Sequence, residues 1–365
     1  MRLPHHLLES PLFLFQEAED LIMALGERVT AEEAAQIQHL AAAGLPPIVS
    51  EDALASMLGV NSGLIWSFVN RSRKHYRRFE IPKGRETRLI VAPRVGLKII
   101  QKWLSVHLAR QYEPADHVYG FVSGRSHIDA ARIHVGAQWA YSVDITDFFG
   151  TTPMGLVAAS LERLGFPNTA AELGAKLTCL DGVLAQGAPS SPVLSNMCFK
   201  DMDDQMIEVA EKYGCKMTRY ADDIVFSGTG EFNDALREEL RSRFSSHGVW
   251  SLSKRKELVQ PLKGRIKIHS FLIGAESIKL TKGYRNKLRG YAHVIEKRGA
   301  NADEVATLRG HLNYALHVER IENQSSGLSA ERVRTALSSS SGASKESNRF
   351  FGNVRKGIRN LLKGI

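Results

Sequence analysis

Apolar positions between residues 8 and 45 recur at a spacing near 3.6, with Ala and Glu between them, and this predicts helix. Ser50 followed by Glu51 and Asp52 has the form of an N-cap with acids in the first turn. The stretch EDALASMLGVNSGLIWSFVN predicts two short helices around Gly59 to Gly63. The second carries Leu64, Ile65, Trp66 and Phe68 with one flanking Arg, a load that suits a structural helical pair more than a DNA-reading helix-turn-helix. Residues 76–92 alternate apolar and polar and turn at Lys83-Gly84, which predicts a β-hairpin.

Farther on, LKIIQKWLSVHLARQY predicts an amphipathic helix and WAYSVDI a short apolar strand. MGLVAASLERLGF and the Ala/Leu segment after it predict helices. PVLSNMCFKDMDDQMIEVAEKYG predicts a long helix with Pro192 near its first turn. CKMTRYADDIVFSG reads as two β-rich runs about Ala-Asp-Asp, a second hairpin, and NDALREELRSRFSSHG as a helix. LVQPLKGRIKIHSFLIG reads mostly as strand. From Lys282 the pattern is helical and basic, residues 325–348 are Ser-rich and predict flexibility, and FFGNVRKGIRNLLKGI places Phe351, Val354, Ile358, Leu361, Leu362 and Ile365 on one helical face. That face could lie on a membrane or pack on the protein body or RNA.

Composition adds little until it is resolved along the chain. The 365 residues are 43% hydrophobic and 24% charged, ordinary for a globular protein and contrary to wholesale disorder. No apolar run approaches the ~18 residues of a membrane helix, and the N-terminus lacks the order of a signal peptide. Three scattered cysteines, Cys179, Cys198 and Cys215, form neither a disulfide framework nor a zinc motif and predict reduced cytoplasmic thiols. The net charge of +9 is unevenly spread: residues 1–253 hold 25 Lys/Arg against 30 Asp/Glu, and residues 254–365 hold 23 against 9. A second basic block, Arg71 to Lys102, has eleven Lys/Arg against Glu80 and Glu86. Segmental charge of this kind fits faces that track a phosphate backbone.

The candidate chemistry lies in carboxylates. Asp144 ends the apolar strand in SVDITDFF, and Asp222 and Asp223 sit at the turn of the second hairpin. Asp is common in turns for conformational reasons alone. Aspartates on adjacent strand ends can also hold two Mg²⁺ ions roughly 3.5–4 Å apart, which activate a hydroxyl and stabilise a transferring phosphoryl group. Between these elements runs LAQGAPSSPVLSN. Its Gly187 allows close backbone approach, and its prolines stiffen the start of a helix whose N-terminus favours anions.

In this order the motifs resemble the reverse transcriptases and, within them, the bacterial retron-type enzymes. YADD at Tyr220–Asp223, SVDITDFF, QGAPSSP, RFEIPKGRETRLIVAPRVGLKIIQKWL and VYGFVSGRSHIDAARIH match the family's motifs in series, and KYGCKMTRYADDIVFSG is especially retron-like. The likeness covers about residues 70–295. Two stretches depart from it: Ala130 stands where retron enzymes usually carry Asn, with His134 retained, and His269-Ser270-Phe271 stands where they tend to carry Val-Thr-Gly.

The resemblance implies an α+β fold, a right-hand polymerase with fingers, palm and helical thumb, the palm an antiparallel sheet packed on helices. It divides the chain into a helical N-terminal extension (1–70), fingers (71–135), palm (136–280, with 150–190 partly fingers) and a basic helical thumb with C-terminal tail (281–365). It makes Asp144, Asp222 and Asp223 the catalytic residues and ligands of two Mg²⁺ ions. Phe149 becomes the gate against a ribonucleotide 2′-OH. Lys83 and Arg88 contact the triphosphate, Gln186 and Gly187 line the nucleotide pocket, and Lys256 stands near the leaving pyrophosphate, with Lys254 and Arg255 competing for that place. Arg125, His134, Lys282, Tyr284, Arg285, Lys287 and Arg289 are the expected nucleic-acid contacts; solvated helix faces and core tyrosines are the alternative for the thumb set.

The implied function is RNA-directed DNA synthesis. A dedicated structured non-coding RNA would be template and primer, deoxynucleoside triphosphates the substrates, a small RNA-linked DNA the product, and phage defence with a separate effector protein the role. Other bacterial reverse transcriptases, of abortive-infection or group II intron type, remain alternatives. So does a non-catalytic RNA-binding scaffold, against which the intact aspartates argue. The finger motif and QGAPSSP argue against a nucleotide cyclase or two-metal nuclease.

Overall fold

The computed structural model describes residues 9–84, 86–260, 265–298, 301–322 and 335. The amphipathic segment predicted at 350–365 and nearly all of the Ser-rich stretch lie outside them.

Helices α1 (Ala18–Leu25), α2 (Ala31–Ala42), α3 (Glu51–Leu58) and α4 (Ser62–Asn70) open the chain. The predicted cap is present: the Ser50 side chain accepts from the Ala53 amide. α3 and α4 bury Ala53, Leu54, Ala55, Met57, Ile65 and Phe68 in the main core, as a structural pair does. Strands β1 (Tyr76–Lys83) and β2 (Glu86–Pro93) form the first hairpin, and α5 (Val95–Gln111) follows. The N-terminal helices are not a separate body. Phe13 meets Trp103 of α5 edge to face at 5.6 Å, and the Trp103 indole donates to the Ser10 carbonyl at 3.0 Å.

After α6 (His127–Ile133) comes β3 (Trp139–Asp144), then α7 (Met154–Arg163), α8 (Asn168–Thr178) and the short strands β4 (Cys179–Leu180) and β5 (Val183–Leu184). The long helix α9 (Ser191–Lys212) has Pro in its first turn, where the missing N–H costs nothing. Strands β6 (Lys216–Tyr220) and β7 (Asp223–Gly228), helix α10 (Asp234–His247) and strand β8 (Leu258–Gln260) complete an antiparallel four-stranded sheet of order β6-β7-β3-β8. The sheet buries Tyr141, Val143, Ile224 and Phe226 into the same core as α5, α8 and α9.

A second, smaller core joins β9 (Lys267–Ile268), β10 (Phe271–Ile273) and β11 (Ile278–Leu280) to α11 (Lys282–Arg298) and α12 (Ala302–Ile321). The sequence reads 258–274 as mostly strand. The structure instead folds β9 back on β10, because His269 and Ser270 both adopt left-handed backbone, φ 46° and 71°. Two positive φ values in a two-residue loop match the twist of a hairpin, but no Gly, Asn or Asp marks this one. The β4–β5 turn, Asp181-Gly182, does carry such a mark, with φ 54° and 84°. The architecture is thus α+β, helices packed on an antiparallel sheet.

Candidate active site

Strand pairing assembles the carboxylates. Asp144, last in β3, stands directly opposite Asp223, first in β7, and the Ile145 amide donates to the Asp222 carbonyl at 2.8 Å. Asp222 occupies the β6–β7 turn beside Ala221, whose φ of 59° is left-handed. A non-glycine residue there costs roughly 1 kcal/mol or more, so the surroundings must enforce it. Burial raises the Asp144 carboxyl above its ordinary value; the Lys256 ammonium opposes the rise, and the Asp222 and Asp223 charges add to it.

A lysine and an imidazole flank these carboxylates. Lys256 Nζ donates to Asp144 Oδ2 at 2.5 Å. Its loop is held there by the Ser253 amide, which donates to the Asp144 carbonyl at 2.8 Å. Of the three adjacent basic residues, Lys256 therefore takes the place beside the carboxylates. On the far side, His269 Nδ1 lies 3.2 Å from Asp223 Oδ2. The left-handed turn at 269–270 places that imidazole, and sequence reasoning passed it over as a mere departure from a motif.

The donor set suits a hard divalent cation. It is all carboxylate oxygen and half-buried, and the Asp222 and Asp223 charges raise the proton affinity of Asp144. Among the described residues no group of three or more His, Cys, Asp or Glu is placed to hold a metal ion by itself. An open carboxylate face of this kind suits Mg²⁺, which keeps waters and shares substrate phosphates.

The residues expected to line a nucleotide pocket have the following neighbours. Phe149 is half-buried, 5.8 Å from Phe148 and 5.9 Å from Phe121 between ring centroids. Phe121 is a second unforeseen residue: left-handed at φ 63°, 44% exposed, and set against the candidate gate. Gly187 has φ 123°, and a Cβ there would lie 2.7 Å from Ile90 Cγ2, so the loop meets β2 closely. The Gln186 carbonyl accepts from the Val91 amide at 2.7 Å, which docks the hairpin on the loop. Arg88 is half-buried opposite Ile81 in that hairpin. Lys83 is described in its backbone alone, paired with Glu86.

Several expected nucleic-acid contacts have other work. His134 is fully buried, with Nδ1 2.6 Å from Ser227 Oγ and Nε2 2.7 Å from Thr218 Oγ1. It is a core histidine clasping β6 to β7, which corrects its assignment to nucleic acid. Arg125 directs its guanidinium at the Ala115 and Val118 carbonyls, at 2.5 and 2.7 Å, and so staples its own loop. Tyr284 packs on Tyr314 and places its hydroxyl 3.0 Å from His311 Nδ1, a core tyrosine between α11 and α12. Lys287 is half-buried with its ammonium 5.8 Å from the Tyr291 ring centre. Lys282, Arg285 and Arg289 are exposed, as a phosphate-facing set requires.

The chain is similar to known reverse transcriptases. A family model described as reverse transcriptase (RNA-dependent DNA polymerase) matches residues 81–257. The retron Mx65 reverse transcriptase of Myxococcus xanthus is 29% identical over 308 residues, 78% of this chain and 71% of that protein. The retron Ec86 reverse transcriptase of Escherichia coli is 28% identical over 248 residues, 67% of this chain and 77% of that one. Among solved structures, apo telomerase from Candida tropicalis aligns with a TM-score of 0.45 at 10% identity, over 79% of this chain and 60% of the telomerase chain.

Proposed function

We propose that this chain is a retron-type reverse transcriptase, an RNA-directed DNA polymerase like the proteins it resembles, and that Asp144, Asp222 and Asp223 are its catalytic centre and hold two Mg²⁺ ions. The observation that carries the reading is the register of Asp144 against Asp223 with Asp222 in the adjoining turn. Bound there, the ions would lower the pKa of the attacking hydroxyl and neutralise charge on the phosphates.

The protein's own groups do the rest. Arg88 and Lys83 orient the triphosphate, a cationic clamp on groups that gain charge as the bond to the α-phosphorus changes hands. Phe149 lies under the sugar and excludes a 2′-OH. Gln186 and Gly187 line the nucleotide and template side. Lys256, next to Asp144, stands where the departing pyrophosphate needs a cation. We assign residues 71–135 to fingers, 136–280 to palm with 150–190 partly fingers, and the segment from 281 to thumb, with 1–70 as a helical N-terminal extension.

The substrate class follows the retron relatives. A structured non-coding RNA serves as template and primer, and initiation uses an internal guanosine 2′-OH. The product is a short single-stranded DNA joined to RNA, made in the cytoplasm for anti-phage defence with a separate effector protein. Among the described residues no helix is long and apolar enough to cross a membrane.

The test has two parts. Asp222→Asn should reduce Mg²⁺-dependent extension on an RNA template by on the order of 10³-fold while RNA binding persists; undiminished synthesis removes the site assignment. Nucleic acid co-purified from the native cell should contain branched RNA–DNA. RNA without attached DNA would instead favour a binding scaffold.

A further inference from the structure

Directly beneath the Tyr220–Asp223 turn lies an ion pair that no substrate can reach. Arg219 is fully buried, and Asp203 of α9 is 1% exposed. The guanidinium donates to Asp203 Oδ1 through Nε at 2.6 Å and to Oδ2 through Nη2 at 2.5 Å. Its Nη1 donates to Asn196 Oδ1 at 3.0 Å and to the Ala221 carbonyl at 3.1 Å. The ring of Phe199 covers it at 4.8 Å.

The same network reaches the turn from the other side. Asn196 Nδ2 donates to the Gly120 carbonyl at 2.9 Å. The Tyr119 amide donates to the Arg219 carbonyl at 2.8 Å, and the Arg219 amide to the His117 carbonyl at 2.8 Å. Gly120 then passes so close that a Cβ on it would lie 2.1 Å from the Ala221 amide nitrogen. Ala221, held left-handed, is thus gripped between a guanidinium on its carbonyl and a side-chain-free backbone against its nitrogen.

A buried ion pair is a poor source of stability, because desolvation offsets its attraction and apolar residues of similar volume often do as well. What an Arg fork supplies that they cannot is fixed geometry: here it joins two helix positions and one strained carbonyl. We propose that Arg219 and Asp203, bridged by Asn196 to Gly120, are positioning residues that set the Ala221 peptide and thereby aim the carboxylates of Asp222 and Asp223. The proposal rests on the reading of those aspartates as the catalytic centre.

Three variants of the full chain test it: Arg219→Lys, the paired Arg219→Met/Asp203→Leu, and Gly120→Ala. Each is measured for single-nucleotide extension on an RNA template, for RNA affinity and for thermal midpoint, beside Asp222→Asn. Misplacing a reacting group by about 1 Å can cost on the order of 100-fold in rate. The expected result is a loss of that size in kcat in all three, with KM for the nucleotide and RNA affinity within about threefold of the parent and the Met/Leu pair melting near the parent temperature. Wild-type kcat in the Met/Leu pair or in Arg219→Lys overturns the proposal. So does a parallel fall of kcat, RNA affinity and thermal midpoint in every variant, which would make the network ordinary core. If Asp222→Asn retains activity, the site reading fails; if it is inactive while the brace variants work normally, only the brace fails.

Discussion

Lys256 Nζ lies 2.5 Å from Asp144 Oδ2, across 112 residues of chain. The contact pairs an Asp144 side chain that is 16% exposed with a cation on a four-carbon stem. It follows from two backbone facts: β3 ends at Asp144, and its carbonyl accepts from the Ser253 amide, which anchors the loop carrying Lys256.

We predict that Lys256→Ala lowers kcat for nucleotide addition by roughly 10- to 100-fold, the range for removing one charge-stabilising donor from an active site. Lys256→Arg should recover most of it. Lys254→Ala should have little effect. Steady-state extension with saturating template separates the three, and equal losses at Lys254 and Lys256 would mean a diffuse basic patch with no positioned cation.

Sugar selection offers a second prediction. Phe149→Ala removes the ring beneath the expected sugar and should raise ribonucleotide incorporation relative to deoxynucleotide by on the order of 10- to 100-fold. Phe121 touches Phe149 from one side at 5.9 Å. Phe121→Ala should therefore loosen selection in the same direction by a smaller factor, through a freer Phe149 ring. Competition assays with paired nucleotides read both. Selection unchanged in Phe149→Ala would remove the gate.

These sites differ in how legible they were. Asp144, Asp222 and Asp223 stood out because strand ends and turns are local patterns, and strand register then brings them together. The hairpin at 76–93, the long helix after Pro192 and the Ser50 cap were legible for the same reason. His269 was not: its turn lacks Gly and Asn, so nothing nearby in sequence announces left-handed backbone. Phe121 and Arg219 were hidden by a different cause, since their partners lie 28 and 16 residues away and periodicity says nothing of such contacts. His134 misled because a His in a motif reads alike whether it faces RNA or closes a core.

Gly187 gives a test of the loop. Its φ of 123° is strained for any L side chain, and a Cβ would approach Ile90 Cγ2 at 2.7 Å. We predict that Gly187→Ala pushes the β1–β2 hairpin off the loop and raises KM for the nucleotide several-fold or more, at a stability cost of about 1–3 kcal/mol. Kinetics and thermal melting together check this. A KM equal to the parent's would show that the loop tolerates the shift and does not shape the pocket.

The buried histidine sets a pH dependence. Burial is the largest cause that pushes His134 down to about 3, with the His269 and Lys216 charges adding to it. The folded chain therefore keeps His134 neutral, bonded to Ser227 and Thr218, while the unfolded chain protonates it near its ordinary value of about 6.5. Below that value the unfolded state binds the extra proton, so stability falls as pH drops. The contribution is complete above about pH 6.5 and is lost between there and about pH 3. At pH 5 the loss is of order 2 kcal/mol for this one group, from 1.36 kcal/mol per unit. His107, depressed to about 4 mainly by burial and secondarily by Arg110, adds in the same direction. We predict that chemical denaturation midpoints decline from pH 7 to pH 5, and that His134→Ala, though less stable at pH 7 by about 2–4 kcal/mol, shows a shallower decline, so that the gap narrows toward pH 5. RNA affinity of the folded variant at pH 7 should match the parent, because the imidazole never meets RNA. A variant that keeps the parent's full pH slope, or that folds normally yet loses RNA affinity, would return His134 to the binding surface.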